Sequence, residues 1–302
     1  MSRGLGDVYK RQLKDRTLFV GPDEKFPDGC RSCLLGSGLT AIRKTNKCNL
    51  QCRFCYNYGE LDAIEPVGEG IWVIGGTKFY ENDIDLLLEI HKKPTGVAYV
   101  YLEPFMEIEK YYNIIQKFNK AGIYQHLYTN GTLATETTLK ALGEAGLNEL
   151  RFNLGASGCA DNVIENIGIA KKYIKKVGIE TPMTNEFFEK FFVKKQAVLD
   201  TGLDFINCAE LHLNPNNIEN YWGEKMYIAR HGYISPIWSR ELTLRFMAAA
   251  AKEKWNLVVH DCSNDTKFAR DLNLGAKEGK WFGASSYASE FLEIPYAVFL
   301  PV

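Results

Sequence analysis

Leu39–Asn57 reads LTAIRKTNKCNLQCRFCYN: an alternating run ending at Thr45, then a loop that carries Cys48, Cys52 and Cys55. The alternation predicts a strand over Leu39–Thr45. The thiols follow it directly, with three and then two residues between them. Thiolate is a soft ligand and the usual protein ligand of iron-sulfur clusters, so three cysteines hold three irons of a four-iron cube. The fourth iron stays open, which is the mark of a catalytic metal rather than a structural one.

Working outward, the chain repeats one unit: an apolar or alternating run, a polar loop, then a helical pattern. Further strands are expected at Gly96–Pro104, Tyr124–Gly131, Asn148–Gly155, Gly178–Thr184, Phe205–Leu213 and Asn256–Cys262. Helical stretches separate them; in Glu107–Gly122 the residues Ile108, Tyr111, Tyr112, Ile115 and Phe118 recur at helical spacing and face a core. The pattern predicts an α/β fold, a partial TIM-like (βα) barrel of about six or seven parallel strands. In such barrels the loops after the strands share one rim, and strand-end residues are the first functional candidates.

Composition bounds the function. The 302 residues are 46% hydrophobic and 13% aromatic, enough for one large core. A net charge of -1 favours neither nucleic acid nor an anionic membrane. No apolar run is long enough to cross a bilayer, and the first residues lack a secretory apolar core. A soluble, cytoplasmic protein is expected, whose eight cysteines serve metals or catalysis rather than disulfides. Residues 1–12, MSRGLGDVYKRQ, resemble translated adapter sequence and are set aside as non-native, so neither end is taken as a native terminus. Residues 13–38 are expected to form an N-terminal appendage with the Cys30, Cys33 pair, and residues 39–302 the barrel.

The cysteine spacing, with Phe54 just before Cys55, resembles the signature of the radical S-adenosylmethionine (radical SAM) superfamily. The resemblance runs from about Thr40 to Cys262. It implies a [4Fe-4S] cluster on Cys48, Cys52 and Cys55, with S-adenosyl-L-methionine as cofactor. Family members commonly end the second strand in Gly-Gly-Glu-Pro, which meets the methionyl amino group; here the stretch is Tyr101, Leu102, Glu103, Pro104. Glu103 keeps the carboxylate, and its other reading is a cap on the following helix. Thr129 and Asn130, in LYTNG, fall where the family's small polar side chains approach the nucleoside, or else make a plain Asn-Gly turn. Asn153 falls at the ribose position, or is a satisfied core group. Phe54 would lie beside the adenine, with Tyr56 presenting backbone to the same ligand. Glu210, His212 and Asn214 alternate onto one face at the rim, as ligands of substrate or S-adenosylmethionine or as proton relays; a lone strand histidine is more often a hydrogen-bonded core group.

The resemblance implies anaerobic chemistry: a reduced cluster, fed by a donor such as flavodoxin or ferredoxin, cleaves S-adenosylmethionine to a 5'-deoxyadenosyl radical. That radical takes hydrogen from a small-molecule or peptide substrate. The nearest alternative is a glycyl-radical-enzyme activase. A zinc-ribbon interaction module on Cys30, Cys33, Cys52 and Cys55 also fits the spacing, but it leaves Cys48 idle. Cys30, Cys33 and Cys262 suggest a second metal site, an auxiliary iron-sulfur cluster or zinc, with Cys208, His260 or Asp261 as further ligands. Cys159 is unassigned. Lys267 and Arg270 could meet an anionic substrate, though their spacing favours a solvated helix face.

Overall fold

The computed structural model describes residues 11–12, 17–45, 47–60, 67–75, 77–91, 94–229, 232–268 and 298–299. In chain order the elements are β1 (Arg11–Gln12), β2 (Leu18–Val20), α1 (Asp28–Leu34), β3 (Gly38–Arg43), β4 (Ile71–Ile74), β5 (Thr77–Tyr80), α2 (Ile84–Ile90), β6 (Gly96–Tyr99), α3 (Tyr112–Lys120), β7 (Tyr124–Thr129), α4 (Glu136–Ala145), β8 (Glu149–Phe152), α5 (Asp161–Ala170), β9 (Lys176–Pro182), α6 (Asn185–Asp200), β10 (Phe205–Ala209), β11 (Met226–Ile228), β12 (Ile234–Pro236), α7 (Ile237–Glu253), β13 (Val258–Cys262) and β14 (Val298–Phe299).

The large sheet runs β1-β2-β13-β10-β9-β8-β7-β6-β3-β4-β5. Its middle, β3 to β13, is parallel at every pairing. β2 and β4 join antiparallel at the two sides. These seven parallel strands match the seven read from the sequence, and the sheet is a partial barrel. Local signals shape the crossovers: Thr135 and Thr138 form a capping box that starts α4, and Thr184 accepts from the Phe187 N–H to start α6.

Strand alternation separates two interiors. Val97, Tyr99, Leu127, Leu150, Phe152, Val177, Ile179, Ile206 and Val259 pack into the apolar core under the helices. Their neighbours Ala98, His126, Tyr128, Arg151, Glu180, Asn207 and His260 line a cavity inside the barrel, which brings several polar side chains onto a largely apolar wall.

Three features depart from the expected plan. The Cys-bearing N-terminal segment is docked on the barrel rather than set apart from it: β2 extends the sheet at β13, and Phe19, Phe26, Cys30 and Leu34 share a core with Phe205 and Val258. The hairpin β4–β5 pairs antiparallel beside β3 and belongs to no βα unit. A second, three-stranded sheet, β12-β11-β14, is separate from the barrel sheet and is tied to the segment after β10 by the Leu213–Ile234 bridge. Residues 1–10 and Arg270 lie outside the described residues. Among the described residues no helix is long and apolar enough to cross a membrane.

Candidate active site

The cysteine loop leaves β3 and is tied to the C-terminal ends of several strands. The Lys47 carbonyl accepts from Glu103 N at 3.0 Å, after β6. Asn49 is bonded at its Oδ1 by Asn130 Nδ2 (2.8 Å) and donates to Thr132 Oγ1 (2.8 Å), after β7. The Cys52 thiol lies 4.0 Å from the Ala156 carbonyl, after β8. Three thiols on an otherwise irregular segment are thereby held over the rim.

Glu103 is buried to 1% exposure beneath this loop. Its carboxylate accepts from Phe105 N (3.0 Å), Thr129 Oγ1 (2.8 Å) and Asn130 N (2.6 Å). It therefore does cap the short 3-10 helix Pro104–Tyr111. The three bonds leave one of a carboxylate's four lone-pair directions. Burial pushes its pKa up, against the pull of these donors. Tyr101 and Leu102, where the family's glycines fall, adopt φ of 99° and 54°. The backbone keeps a glycine-like course with side chains that resist it. Asn153 accepts from Ala156 N at 3.1 Å and shapes the loop behind Cys52.

A segment the sequence reading touched only at Asn214 completes the seat. Asn220 Nδ2 donates to the Arg53 carbonyl (2.9 Å) and Asn217 Nδ2 to that of Phe54 (3.1 Å). The Tyr56 carbonyl accepts from both Asn214 Nδ2 (2.9 Å) and Asn216 Nδ2 (2.8 Å), so this backbone group is engaged within the protein. The available signal was NPNNIEN (214–220): amide side chains clustered after a strand satisfy backbone that has no ladder partner. His212 bonds Tyr56 Oη through Nδ1 (2.7 Å), stacks on Tyr233 at 4.1 Å and contacts Asn264 Oδ1. Glu210 accepts from Tyr227 Oη, Ser235 Oγ (3.1 Å) and Asn264 N (2.8 Å). Both residues join the rim to the β11–β12 region and to the turn 264–268.

Beneath the rim lies a cavity of about 170 Å³. Cys30, Cys33 and Cys262 all line it, with His126, Tyr128, Arg151, Glu180, Asn207, His260 and Lys267. Arg151 is its electrostatic hub: it meets Glu149, Glu180 Oε2 (2.5 Å), Tyr128 Oη (2.8 Å) and Cys30 Sγ (3.4 Å). Burial drives the Cys30 thiol pKa well up, with Arg151 opposing. Burial also lifts Cys262 to about 12. Cys208 and Asp261 turn the other way: Cys208 packs in the helical core, and Asp261 pairs with Arg240 of α7 at 2.5 Å. The alternation of β10 and β13 thus keeps both out of the cavity that Cys262 and His260 enter.

The radical SAM superfamily model matches residues 42–191, from the end of β3 through β9 into α6. The chain belongs to this superfamily. A candidate glycyl-radical enzyme activating enzyme of Methanocaldococcus jannaschii is 25% identical over 205 residues, 64% of this chain and 52% of that protein. Streptococcus suis SuiB bound to S-adenosylmethionine shares the fold with a TM-score of 0.53 at 14% identity, over 75% of this chain and 50% of that chain. SuiB bound to its precursor peptide SuiA gives 0.51 at 14%, over 74% and 48%. The chain spans about half the length of the curated relatives it matches.

The donor chemistry of the radical SAM loop fits an iron-sulfur cluster. Cys48, Cys52 and Cys55 are half-buried, and backbone N–H groups of Leu50 and Asn57 point at the sulfurs of Cys48 (3.5 Å) and Cys55 (3.4 Å). Burial raises all three thiol pKa values, that of Cys52 to about 12, so without metal they hold their protons. Among the described residues no three His, Cys, Asp or Glu side chains stand in metal-ligating geometry, at this loop or around Cys30, Cys33 and Cys262. The loop offers the ligands without a closed coordination shell.

Proposed function

We propose that this chain is a radical SAM enzyme that reductively cleaves S-adenosylmethionine and abstracts hydrogen from a small-molecule or peptide substrate. The observation that carries the reading is the three-thiol loop, tied to residues after β6, β7, β8 and β10. Cys48, Cys52 and Cys55 would hold a [4Fe-4S] cluster, which supplies an electron and an open iron when bound. The chain's own part is to fix the loop, exclude water and present polar groups at the rim. Glu103 has one acceptor direction for the methionyl ammonium. Thr129, Asn130 and Asn153 line the approach to the nucleoside, with Phe54 and Tyr56 on its adenine side and Glu210 and His212 behind. A cytoplasmic site with a flavodoxin or ferredoxin donor suits a cluster that must stay reduced and anaerobic.

The test is anaerobic reconstitution, with iron and sulfide counting and assay of 5'-deoxyadenosine. Wild type should bind about four irons and form the product, and Cys52→Ala should form none; a colourless zinc protein without cleavage would return the zinc-ribbon module. The related candidate activating enzyme supports a second reading, a glycyl-radical-enzyme activase. SuiB with its precursor peptide supports a peptide substrate only through a shared fold. Cys30, Cys33 and Cys262 share one cavity, so an auxiliary cluster or zinc is an alternative occupant of that space, in competition with any organic ligand there. Metal counts that are equal in wild type and in Cys30→Ala with Cys33→Ala would end that alternative.

A further inference from the structure

We propose that the cavity beneath the cysteine loop binds a small free amino acid as its zwitterion, with the ammonium at Glu180 and the carboxylate at Lys267. As a substrate assignment this rests on the radical SAM reading above; as a binding site it stands on the cavity itself.

Size sets the first limit. A cavity of about 170 Å³ is close to the ~150 Å³ that admits benzene in an engineered core, so the occupant has on the order of six to ten non-hydrogen atoms. Most of the cavity wall is apolar, with Leu34, Leu39 and Ala98 among its residues, but Glu180, Asn207, His260 and Lys267 share it, so the occupant combines apolar with polar groups. Buried polar groups need polar partners.

Charge selects the class. Arg151 is paired with both Glu149 and Glu180. Glu180 uses one oxygen, Oε2, for Arg151 and for Asn207 Nδ2 at 2.8 Å. Its side chain is 18% exposed where Arg151 is 3% and Glu149 0%, so part of this carboxylate still opens on the cavity. Oε1 has no protein donor among the described residues. Lys267 is the opposite pole. It lines the same cavity, its Nζ lies 3.1 Å from His212 Nε2, and no carboxylate among the described residues pairs with it. An imidazole supplies no negative charge. Two acids and two bases around the cavity balance, so a net cation or anion would leave one charge uncompensated in a poorly solvated space. A zwitterion answers both poles and leaves the balance intact.

The test is calorimetric titration of the reconstituted full chain with L-threonine, L-valine and γ-aminobutyrate, against N-acetyl-L-threonine and L-threonine amide. At least one free zwitterion should bind, and both blocked forms should bind about tenfold or more weakly, since each lacks one charge-assisted contact. Lys267→Met should erase the preference over the amide while keeping the preference over the acetyl form. This readout separates recognition from misfolding, and Glu180→Gln should do the reverse. Equal binding of blocked and free forms, no binding of any free form, or an unchanged amide preference in Lys267→Met overturns the proposal. 5'-Deoxyadenosine is assayed in the same preparation. Zwitterion binding without that product overturns the cleavage reading alone; the product without zwitterion binding overturns this one.

Discussion

Tyr101 and Leu102 show at single-residue scale how a backbone course can outlast the residues that suit it. Both hold positive φ just before Glu103, and the carboxylate reaches its three donors from that course. A Tyr at φ 99° is strained. Tyr101→Gly and Tyr101→Ala remove the same ring, and only glycine relieves the backbone. The glycine variant should be about 1 kcal/mol the more stable, as read from urea unfolding midpoints. Asn217 carries a second expectation. Wholly buried, it holds the Phe54 and His212 carbonyls and accepts from Asn214 N. Asn217→Ala should cost about 1–3 kcal/mol by leaving buried groups unpaired. Amide exchange in the loop 47–60 should quicken, whereas an equal loss of protection everywhere would make the residue merely structural.

At the scale of elements, α1 decides the shape of the barrel interior. It packs against β3, β6 and β7 and brings Cys30 to Arg151 and Asn207. Gly29 lets it in: a Cβ there would lie 2.6 Å from Arg151 Nη2 and 2.7 Å from His126 Nδ1. Arg151 is pinned by two carboxylates and cannot easily yield. Gly29→Ala should therefore destabilise the fold by about 1–3 kcal/mol, despite alanine's better helix propensity. Thermal unfolding checks this, with Gly122→Ala, open to solvent but at φ 71°, expected to act through local backbone strain alone. The Cys30, Cys33 spacing announced paired thiols, yet seven residues of helix with two cysteines did not announce a barrel plug. Which element a short helix packs against depends on partners far away in the chain.

Across the whole molecule, burying ionisable groups inside the barrel couples folding to pH. His260 sits between Thr17 and Asn207, and burial, with Arg151 adding to it, drives its pKa down to about 3. An unfolded histidine titrates near ~6.5. The neutral ring's contribution is thus complete above about pH 6.5 and is lost as pH falls toward 3, at up to about 1.4 kcal/mol per unit. Glu103 and Asp261, raised by burial, act with the opposite sign. The clean measurement is a difference: the stability of wild type over His260→Asn should shrink as pH is lowered from 7 to 4. A constant difference would mean that the ring is not buried neutral.

Periodicity and spacing alone made the seven parallel strands and the cysteine loop legible, because alternation and ligand spacing are local properties of a chain. Glu103, Asn130 and Asn153 were singled out by the family resemblance, at positions where strands end. Their actual partners were not: Glu103 is surrounded by donors from β7, and the loop is held by amides about 160 residues further along. Likewise Lys267 reads as a solvated helix face, and the closure of the sheet turns it toward a cavity shared with Glu180 and Cys262. Which side of a strand meets which distant residue is set only when the sheet curves and its two faces acquire different neighbours. Tertiary structure therefore decided the polar interior, the seat of α1 and the grouping of Cys30, Cys33 and Cys262, while Cys48, Cys52 and Cys55 needed only their own loop to be recognised.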